Sequence, residues 1–371
     1  MIKNLILIFA LIFGSLTLSA QTDFGAKRGP CFLKSAERAG QKYVDWECDD
    51  FDQIVDCNED LEGEPGSNLV FTRSGGSPFT GECETCHMNG LREHYMRFVN
   101  GRVSGTDTSY YDTGCPQVVR THVEGVENGR WTYYQDSSGL VAWEINYFNG
   151  EKHGQSIFFR QRLVGTDRVK ITVDEVEQTI TYGVYENDTV KVENYVGGVL
   201  EGKKKEYYFT HSKLKKEVNY KQGVLHGPFI EYNREGVVLQ ELNYDMGRKD
   251  GDWKYYYDNG SLLKTESWNK DIKEGTFKTF YIQGTIQSIE NYRKGLEHGE
   301  FIERFPDDKI KREAFYKKGV LVEEHVYDKW GNEISTFGVA SNKNDEDDAL
   351  PEEGGKKKKA KKSKKEKKSK D

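Results

Sequence analysis

The sequence has few apolar residues, few prolines and a single long apolar run. Only 36% of its 371 residues are apolar, 7 are proline, and the apolar run stands near the start, at residues 5–13. A polytopic membrane protein needs several such runs of about 20 residues and is therefore excluded. Glycine does not recur at every third position and apolar heptads are not sustained, which excludes a collagen triple helix and a coiled coil.

Aromatic residues and glycine, by contrast, are abundant. The chain contains 22 Tyr, 19 Phe, 6 Trp and 38 Gly. Disordered chains lack aromatic residues because they cannot bury enough apolar area to offset conformational entropy. Many aromatic residues and glycines with few aliphatic ones favour β-strands joined by many tight turns.

The apolar run is typical of a secretory signal peptide. Lys3 precedes it and small residues follow it as far as Ala20, so we expect cleavage after Ala20. An uncleaved anchor is the alternative. Gln21 stands where a bacterial lipoprotein would carry its lipidated cysteine. We therefore expect export to the periplasm or outer membrane of a Gram-negative bacterium, without a lipid anchor.

Charge is distributed unevenly along the chain. The net charge is −7, but residues 356–371 carry 11 lysines against two carboxylates, and an acidic stretch begins at Asp345. Blocks of like charge repel themselves and stay unfolded. We expect a disordered tail whose lysines contact an anionic surface, or which only aids solubility. Since the chain is expected to be exported, nucleic acid is not an expected partner.

The strongest pattern in the sequence is a repeat of 24 or 25 residues. Every unit begins with a glycine, and the unit glycines are Gly81, Gly105, Gly129, Gly154, Gly202, Gly227, Gly251, Gly275 and Gly299. The one step of 48 residues, from 154 to 202, is twice the period and predicts a degenerate unit that begins near Gln178. Ten units are thus predicted between residues 81 and 322, with a kink or a loop within 154–201.

Each unit is typical of a β-hairpin. Aromatic residues occupy the third and sixth positions, as Trp253 and Tyr256 do, and the two columns are expected on opposite faces of the sheet. A turn such as Asn259-Gly260 follows, because Asn-Gly tolerates the positive φ of a tight hairpin turn. The returning strand ends in an aromatic residue such as Trp268. Short links favour one long antiparallel meander, and about twenty strands at ~4.8 Å spacing would extend roughly 90–100 Å.

Exposed aromatic stripes are typical binding surfaces. We expect one aromatic column to pack the sheet while the other stays partly exposed. The candidate binding-surface residues are Trp131, Tyr134, Tyr232, Trp253, Tyr256 and Phe280.

The units share an order of residues that resembles a known repeat. This order is Gly, Trp or Phe, Tyr or Phe, then Glu, an aromatic residue, Gly and finally His-Gly. It is similar to the MORN-repeat variant of bacterial proteins, often labelled YwqK-family antitoxin-like proteins, over about 240 residues. The resemblance implies elongated sheets of antiparallel hairpins that act as interaction modules. It implies almost nothing about a ligand, and the antitoxin label fits an exported chain badly.

All six cysteines lie in the first third of the chain. An even number of cysteines in an exported protein suggests disulfides, and the candidates are Cys31, Cys48, Cys57, Cys83, Cys86 and Cys115. Residues 21–80 do not follow the period. Because an open sheet edge needs an atypical unit to cover it, we interpret 21–80 as a disulfide-stapled cap. A separate binding module is the alternative.

One cysteine pair belongs to a haem-attachment motif. Cys83, Cys86 and His87 form C-x-x-C-H, and Met88 or Met96 would offer a sixth iron ligand. However, Cys83 and Cys86 occupy the third and sixth positions of the first unit, which a strand places on opposite faces. Haem attachment needs both thiols on one side. We therefore favour disulfides and expect no cofactor.

The sequence predicts an all-β protein, an elongated antiparallel meander of about ten hairpin repeats with an N-terminal cap. Its expected segments are a signal peptide at 1–20, the cap at 21–80, the repeats at 81–334 and an acidic, then lysine-rich, tail at 335–371.

No sequence motif indicates catalysis. There is no Ser-His-Asp order, P-loop or nucleotide-binding glycine motif, and His153, His226 and His298 each precede a unit glycine, which marks a turn column instead of a metal site. We predict an exported, non-enzymatic scaffold whose partners are other envelope or secreted proteins. A carbohydrate-binding module that uses the aromatic stripe and a c-type haem protein are the alternatives.

Overall fold

A computed structural model describes residues 54–338, except Ser137 and residues 174–175. The predicted signal peptide, the lysine-rich tail, Cys31 and Cys48 lie outside the described residues. Between residues 54 and 338 no helix is long and apolar enough to cross a membrane. Nearly all of the described chain is strand and turn, in agreement with the all-β prediction.

The described chain forms thirty strands, which fall into four groups. The first strands of the hairpins are β4 (Gly81–Cys86), β7 (Gly105–Tyr110), β10 (Gly129–Tyr134), β13 (Gly154–Val173), β16 (Gly202–Tyr207), β18 (Val224–Tyr232), β21 (Gly251–Tyr256), β24 (Gly275–Phe280), β27 (Gly299–Arg304) and β29 (Val320–Tyr327). The returning strands are β5 (Arg92–Val99), β8 (Pro116–Val123), β11 (Val141–Phe148), β14 (Val176–Val196), β17 (Leu214–Lys221), β19 (Val238–Asp245), β22 (Leu262–Asn269), β25 (Ile286–Arg293), β28 (Ile310–Lys317) and β30 (Glu333–Phe337). Two-residue strands that lead into the next hairpin are β6 (Arg102–Val103), β9 (Val126–Glu127), β12 (Glu151–Lys152), β15 (Val199–Leu200), β20 (Arg248–Lys249), β23 (Ile272–Lys273) and β26 (Leu296–Glu297). The cap strands are β1 (Val55–Asp56), β2 (Leu61–Gly63) and β3 (Val70–Thr72).

Twenty-eight of these strands form one sheet, in which consecutive hairpins pair antiparallel as predicted. Only β2 and β3 form a separate two-stranded sheet within the described chain. The sheet is a single layer, so each hairpin packs chiefly against the hairpins before and after it.

Every regular hairpin contains a β-bulge that the sequence analysis did not predict. In the β21–β22 hairpin Tyr255 pairs with Lys264, but Tyr256 pairs with Leu262, so Leu263 is an extra residue on the returning strand. The same shift occurs next to the sixth position of the other regular hairpins, for example at Thr279/Phe280. A bulge at the same place in each hairpin increases the right-handed twist of the sheet.

The two turns of a unit differ in backbone conformation. The turn between units has two consecutive residues with positive φ, as at Lys294 (52°) and Gly295 (81°), which is the conformation of a type I′ turn. In the turn within a unit, Gly260 alone has positive φ (85°). The predicted turn at Asn259-Gly260 is present, with Gly260 supplying the positive φ. Asn259 itself has no positive φ, and its Oδ1 accepts a hydrogen bond from the Ser261 N–H (3.0 Å).

The 48-residue step in the period corresponds to one long hairpin. The prediction of a separate unit that begins near Gln178 was therefore wrong. Strands β13 and β14 pair continuously from Gly154↔Tyr195 to Val173↔Val176. Between Gly154 and Gly197 no described residue has positive φ, so the turn that would begin a new unit is missing there. The tenth hairpin is instead formed by β29 and β30, beyond the predicted last unit.

The described part of the cap covers the edge of the first hairpin. Strand β1 pairs parallel with β4, with Val55 opposite Cys83. Cys57 and Cys83 form a disulfide with a Cα–Cα distance of 5.1 Å, and Leu61 and Phe79 are buried against Cys83. The prediction of a disulfide-stapled cap is confirmed for residues 54–80.

The other two described cysteine candidates, Cys86 and Cys115, differ in whether they form a disulfide. Cys86 is disulfide-bonded as well. Cys115 is a free thiol and only 1% exposed, contrary to its place among the disulfide candidates. Since Cys57, Cys83 and Cys86 are already bonded, no described cysteine remains for Cys115, which packs as a small apolar side chain.

The unit glycines should tolerate substitution poorly. Gly251 has a φ of +74°, a conformation that costs a β-branched residue about 1–3 kcal/mol. We expect Gly251→Val to lower the thermal midpoint of unfolding measured by circular dichroism. The control is Gly165→Val, because Gly165 lies in β13 with no atom within 4 Å of an added Cβ and without positive φ. An equal effect of both substitutions would contradict the assigned turn.

Candidate interaction surface

One face of the sheet carries a continuous row of aromatic rings, which we call the aromatic spine. It joins third-position residues to the late aromatic residues of the returning strands, and its members are Phe229, Tyr244, Trp253, Trp268, Phe277, Tyr292, Phe301 and Tyr316. Centroids of neighbouring rings lie between 4.7 and 6.3 Å apart. Each contact in this row links neighbouring strands, so the rings join four consecutive units.

The rings of the aromatic spine pack the sheet, and its third-position rings are largely inaccessible to solvent. Trp253 is 4% exposed, and Phe277 and Phe301 are buried as well. The candidate Trp253 is therefore corrected from binding surface to core. Trp131 occupies the same column near the first units and is half-buried, where it contacts Tyr147 at a centroid distance of 4.6 Å.

Lysines lie over the rings of the aromatic spine. The Lys249 ammonium lies 4.5 Å from the Trp253 ring centroid and 4.3 Å from that of Trp268. In the next unit the Lys273 ammonium lies 4.0 Å from the centroid of Tyr292. These cation–π contacts place positive charge over the outer side of the rings.

Carboxylates of the returning strands bind the aromatic spine directly. Glu266 Oε2 accepts a hydrogen bond from the Trp268 indole N–H (2.9 Å), and Glu290 Oε2 accepts one from the Tyr292 hydroxyl (2.8 Å). Glu266 Oε1 also pairs with Lys264 (2.5 Å), two residues away on the same strand.

The sixth-position column faces the other way and is half-buried. Its candidate residues Tyr134, Tyr232, Tyr256 and Phe280 all retain partial exposure. The Tyr256 hydroxyl donates a hydrogen bond to Glu241 Oε2 (3.0 Å). The expected division of the two columns, one for packing and one partly exposed, is what the structure has.

Tyrosines at the seventh position connect four units to the unit that follows, and the sequence analysis missed them. Each hydroxyl donates to the backbone carbonyl of the next unit's sixth residue, at 2.8 or 2.9 Å. The pairs are Tyr111 to Tyr134, Tyr208 to Tyr232, Tyr257 to Phe280 and Tyr281 to Arg304. The recurrence of Tyr directly after the sixth position was the signal that could have revealed it.

The residue before the unit glycine has a similar role in five consecutive units, and this role explains His226 and His298. Its side chain accepts a hydrogen bond from the backbone N–H at the next turn between units. The acceptors and donors are Glu201 with Gln222, His226 with Met246, Asp250 with Lys270, Glu274 with Lys294, and His298 with Lys318. His226 and His298 thus use Nδ1 as a structural acceptor, in agreement with the predicted turn column.

Aliphatic side chains follow the turns between units, in a row that we call the turn edge. Its members are Val126, Val199, Val224, Ile272, Leu296 and Val320, all of them exposed. All but Val320 lie against the glycine of the following turn: a Cβ added to Gly247 would lie 3.1 Å from Val224 Cγ1, and one added to Gly295 would lie 3.4 Å from Ile272 Cγ2. The turn edge is therefore a row of apolar side chains at one side of the sheet, interrupted by Glu151 and Arg248 at the corresponding positions.

The cysteines of the C-x-x-C-H motif serve as disulfides in this structure. Cys83 is bonded to Cys57, Cys86 is also disulfide-bonded, and His87 Nε2 lies 3.1 Å from the Tyr110 carbonyl oxygen. A sulfur in a disulfide has no thiol for a thioether bond to haem. In this arrangement the motif holds the cap to the first hairpin.

Comparison with known proteins identifies the repeat. The family model of the MORN repeat variant matches residues 225–246, 249–270 and 297–318. Each match covers one hairpin and ends on the first residue of a turn between units, so the predicted MORN-variant repeats are confirmed there. No curated protein matches the chain.

One similar solved structure is titled "Crystal Structure of TcdB2-TccC3-Cdc42". It shares 11% identity with this chain, at a TM-score of 0.13. The match covers 73% of this chain and 18% of that chain.

Removing a tyrosine staple should weaken the contact between units. We expect Tyr281→Phe to lower the free energy of unfolding by about 0.5–1.5 kcal/mol, because the Arg304 carbonyl loses its hydroxyl donor. Tyr220→Phe is the control, since the Tyr220 hydroxyl makes no hydrogen bond within the described residues. Urea unfolding of both variants measures the difference, and equal midpoints would rule out the staple.

The Glu266 carboxylate, which binds the Trp268 indole, should make the stability of the fold depend on pH. Burial raises the pKa of Glu266, but hydrogen bonds from Lys264 and Trp268 outweigh it, so its pKa lies below the usual 4.5. A lowered folded-state pKa means that the stabilisation is present above pH 4.5 and is lost as the pH falls through the folded value.

We therefore expect Glu266→Gln to destabilise the protein by about 1–3 kcal/mol at pH 7. The variant should lose less stability than the parent chain between pH 5 and strongly acidic pH. Thermal unfolding across that range measures both effects, with Glu235→Gln as an exposed control. Parallel pH profiles for parent and variant would contradict the role of Glu266.

Proposed function

We propose that this chain is an exported, non-enzymatic repeat scaffold that docks other envelope or secreted proteins along its turn edge. The observation that carries the proposal is the regular spacing of exposed aliphatic side chains, with Ile272, Leu296 and Val320 at 49%, 51% and 65% exposure. Exposed apolar rows of this kind are typical of protein-binding surfaces. The neighbouring turn residues Lys270 and Lys294 are exposed as well, which favours a partner with apolar side chains flanked by carboxylates.

Two features support export as the setting of this role. The start of the sequence is typical of a signal peptide without a lipidation cysteine. The Cys57–Cys83 disulfide fits an oxidising compartment. The proposed location is the periplasm or outer-membrane surface of a Gram-negative bacterium.

The absence of catalytic motifs from the sequence supports a role in binding. The MORN-variant repeats provide a long surface built from the same unit many times over, and a repeated surface contacts an extended partner at several equivalent points. Several moderate contacts in register give tight binding through their number.

Serine substitutions in the turn edge test this role. We expect Ile272→Ser with Leu296→Ser to reduce cross-linking to the chain's partner in the native host at least about tenfold, because two central apolar contacts are lost. The matched control is Leu163→Ser with Val164→Ser, which removes two exposed aliphatic side chains from the long hairpin.

Cross-linking followed by mass spectrometry compares both double variants with the parent chain, and thermal midpoints confirm that each is folded. If the turn-edge variant recovers the same cross-linked partner as the control, or if the parent chain recovers none, docking along this edge is wrong.

A further inference from the structure

A cleft of about 940 Å³ lies between the cap and the first two hairpins. Its apolar lining comes from Leu61, Val70, Met96 and Phe98. The cap strands close one side, and the first returning strand forms the other. This cleft lies apart from the turn edge and takes no part in the docking role proposed above.

The rim of the cleft is acidic. Glu62, Glu93 and Asp112 line it and are exposed. Among the described residues none of the three pairs with a basic side chain. No lysine or arginine lines the cleft, so its electrostatic potential favours a cationic occupant.

The sequence carries a segment of complementary charge. Residues 54–151 contain 15 carboxylate side chains, six arginines and no lysine, whereas residues 356–371 contain 11 lysines. The acidic excess of the described chain is therefore concentrated around the cleft, and the strongest positive charge lies at the other end of the sequence.

We propose that the lysine-rich segment, residues 356–371, of one copy of this chain docks in the cleft of a second copy. A lysine side chain suits both parts of the cleft, because its methylene stem packs on apolar surface while its ammonium reaches the rim. Met96 and Phe98 meet the stem, and Glu62, Glu93 and Asp112 meet the ammonium groups.

The distance along the sheet favours a second copy over the same chain. Seventeen strand-to-strand steps separate β7, beside the cleft, from β30, which is about 80 Å at ~4.8 Å per step. Residue 356 follows Gly338 by 18 residues, which reach at most about 65 Å when fully extended. The first four lysines cannot span that path. Lys370, 32 residues beyond Gly338, could span it in an extended chain of at most about 115 Å, so docking of the whole lysine-rich segment requires a second copy.

Docking of this kind joins different surfaces of identical chains. Such head-to-tail contacts extend into open chains of copies unless their geometry closes a ring. Because the contact is ionic and near the surface, it should weaken as salt shortens the Debye length from about 10 Å at 0.1 M to about 3 Å at 1 M.

Sedimentation velocity of the full chain tests the proposal. We expect self-association at about 0.1 M salt and monomers at about 1 M. The cleft variant E62Q/E93Q/D112N should have a dissociation constant at least tenfold higher than the parent chain. The control E235Q/D252N/D258N removes three exposed carboxylates from distant units and should associate like the parent.

A mixing experiment identifies the two halves of the contact. The tail variant, in which glutamine replaces all 11 lysines of residues 356–371, keeps an intact cleft, while the cleft variant keeps an intact tail. Neither should associate alone, but an equimolar mixture should form a 1:1 dimer, and excess synthetic peptide of residues 356–371 should dissolve it.

A parent chain that is monomeric at both salt concentrations would overturn the proposal. So would a cleft variant that associates as tightly as the control, or a mixture of the two variants that stays monomeric. Retention of the lysine segment by anionic vesicles, with no competition from a second copy, would assign the segment to a lipid surface and would likewise overturn it.

Discussion

A single-layer sheet has no second layer to cover it, so each hairpin depends on its two neighbours for burial. The aromatic spine is the main form of this dependence, because each of its rings packs against rings of neighbouring strands. Apolar side chains that would be half-exposed in an isolated hairpin become buried when hairpins stack. The free energy of one unit is therefore tied to the presence of the next, as in other repeat proteins.

Hydrogen bonds between units supplement this packing and fix the position of each unit relative to the next. The seventh-position tyrosines and the acceptors before the unit glycines both reach one unit forward along the chain, to backbone atoms about 20–24 residues away. Since these bonds end on the backbone, they determine where the next hairpin lies and leave its side chains free to vary. The faces and edges of the sheet can thus carry different chemistry in different units while the framework stays the same.

Within the described chain, the two ends of the repeat array differ in whether the edge strand is covered. At the first hairpin, β1 adds a parallel strand and the Cys57–Cys83 disulfide binds the cap to β4. At the last hairpin, β30 is exposed along its whole length. The cleft and the acidic excess occur at the capped end, so the array is polar both in structure and in charge. A scaffold with two different ends can take part in ordered contacts that a symmetric one cannot.

The period of 24 residues, the two aromatic columns on opposite faces and the antiparallel meander could all be read from the sequence, because strand alternation and glycine turns are local properties. The sequence alone did not reveal that residues 154–201 form one hairpin, since the period of 48 fits two short units as well as one long one. Pairing across the sheet decided it, through the continuous register of β13 and β14. The same holds for Trp253 and Cys115. A Trp at this position could be exposed or buried, and the rings around Trp253 bury it. A Cys could form a disulfide or stay free, and Cys115 is enclosed as a buried free thiol.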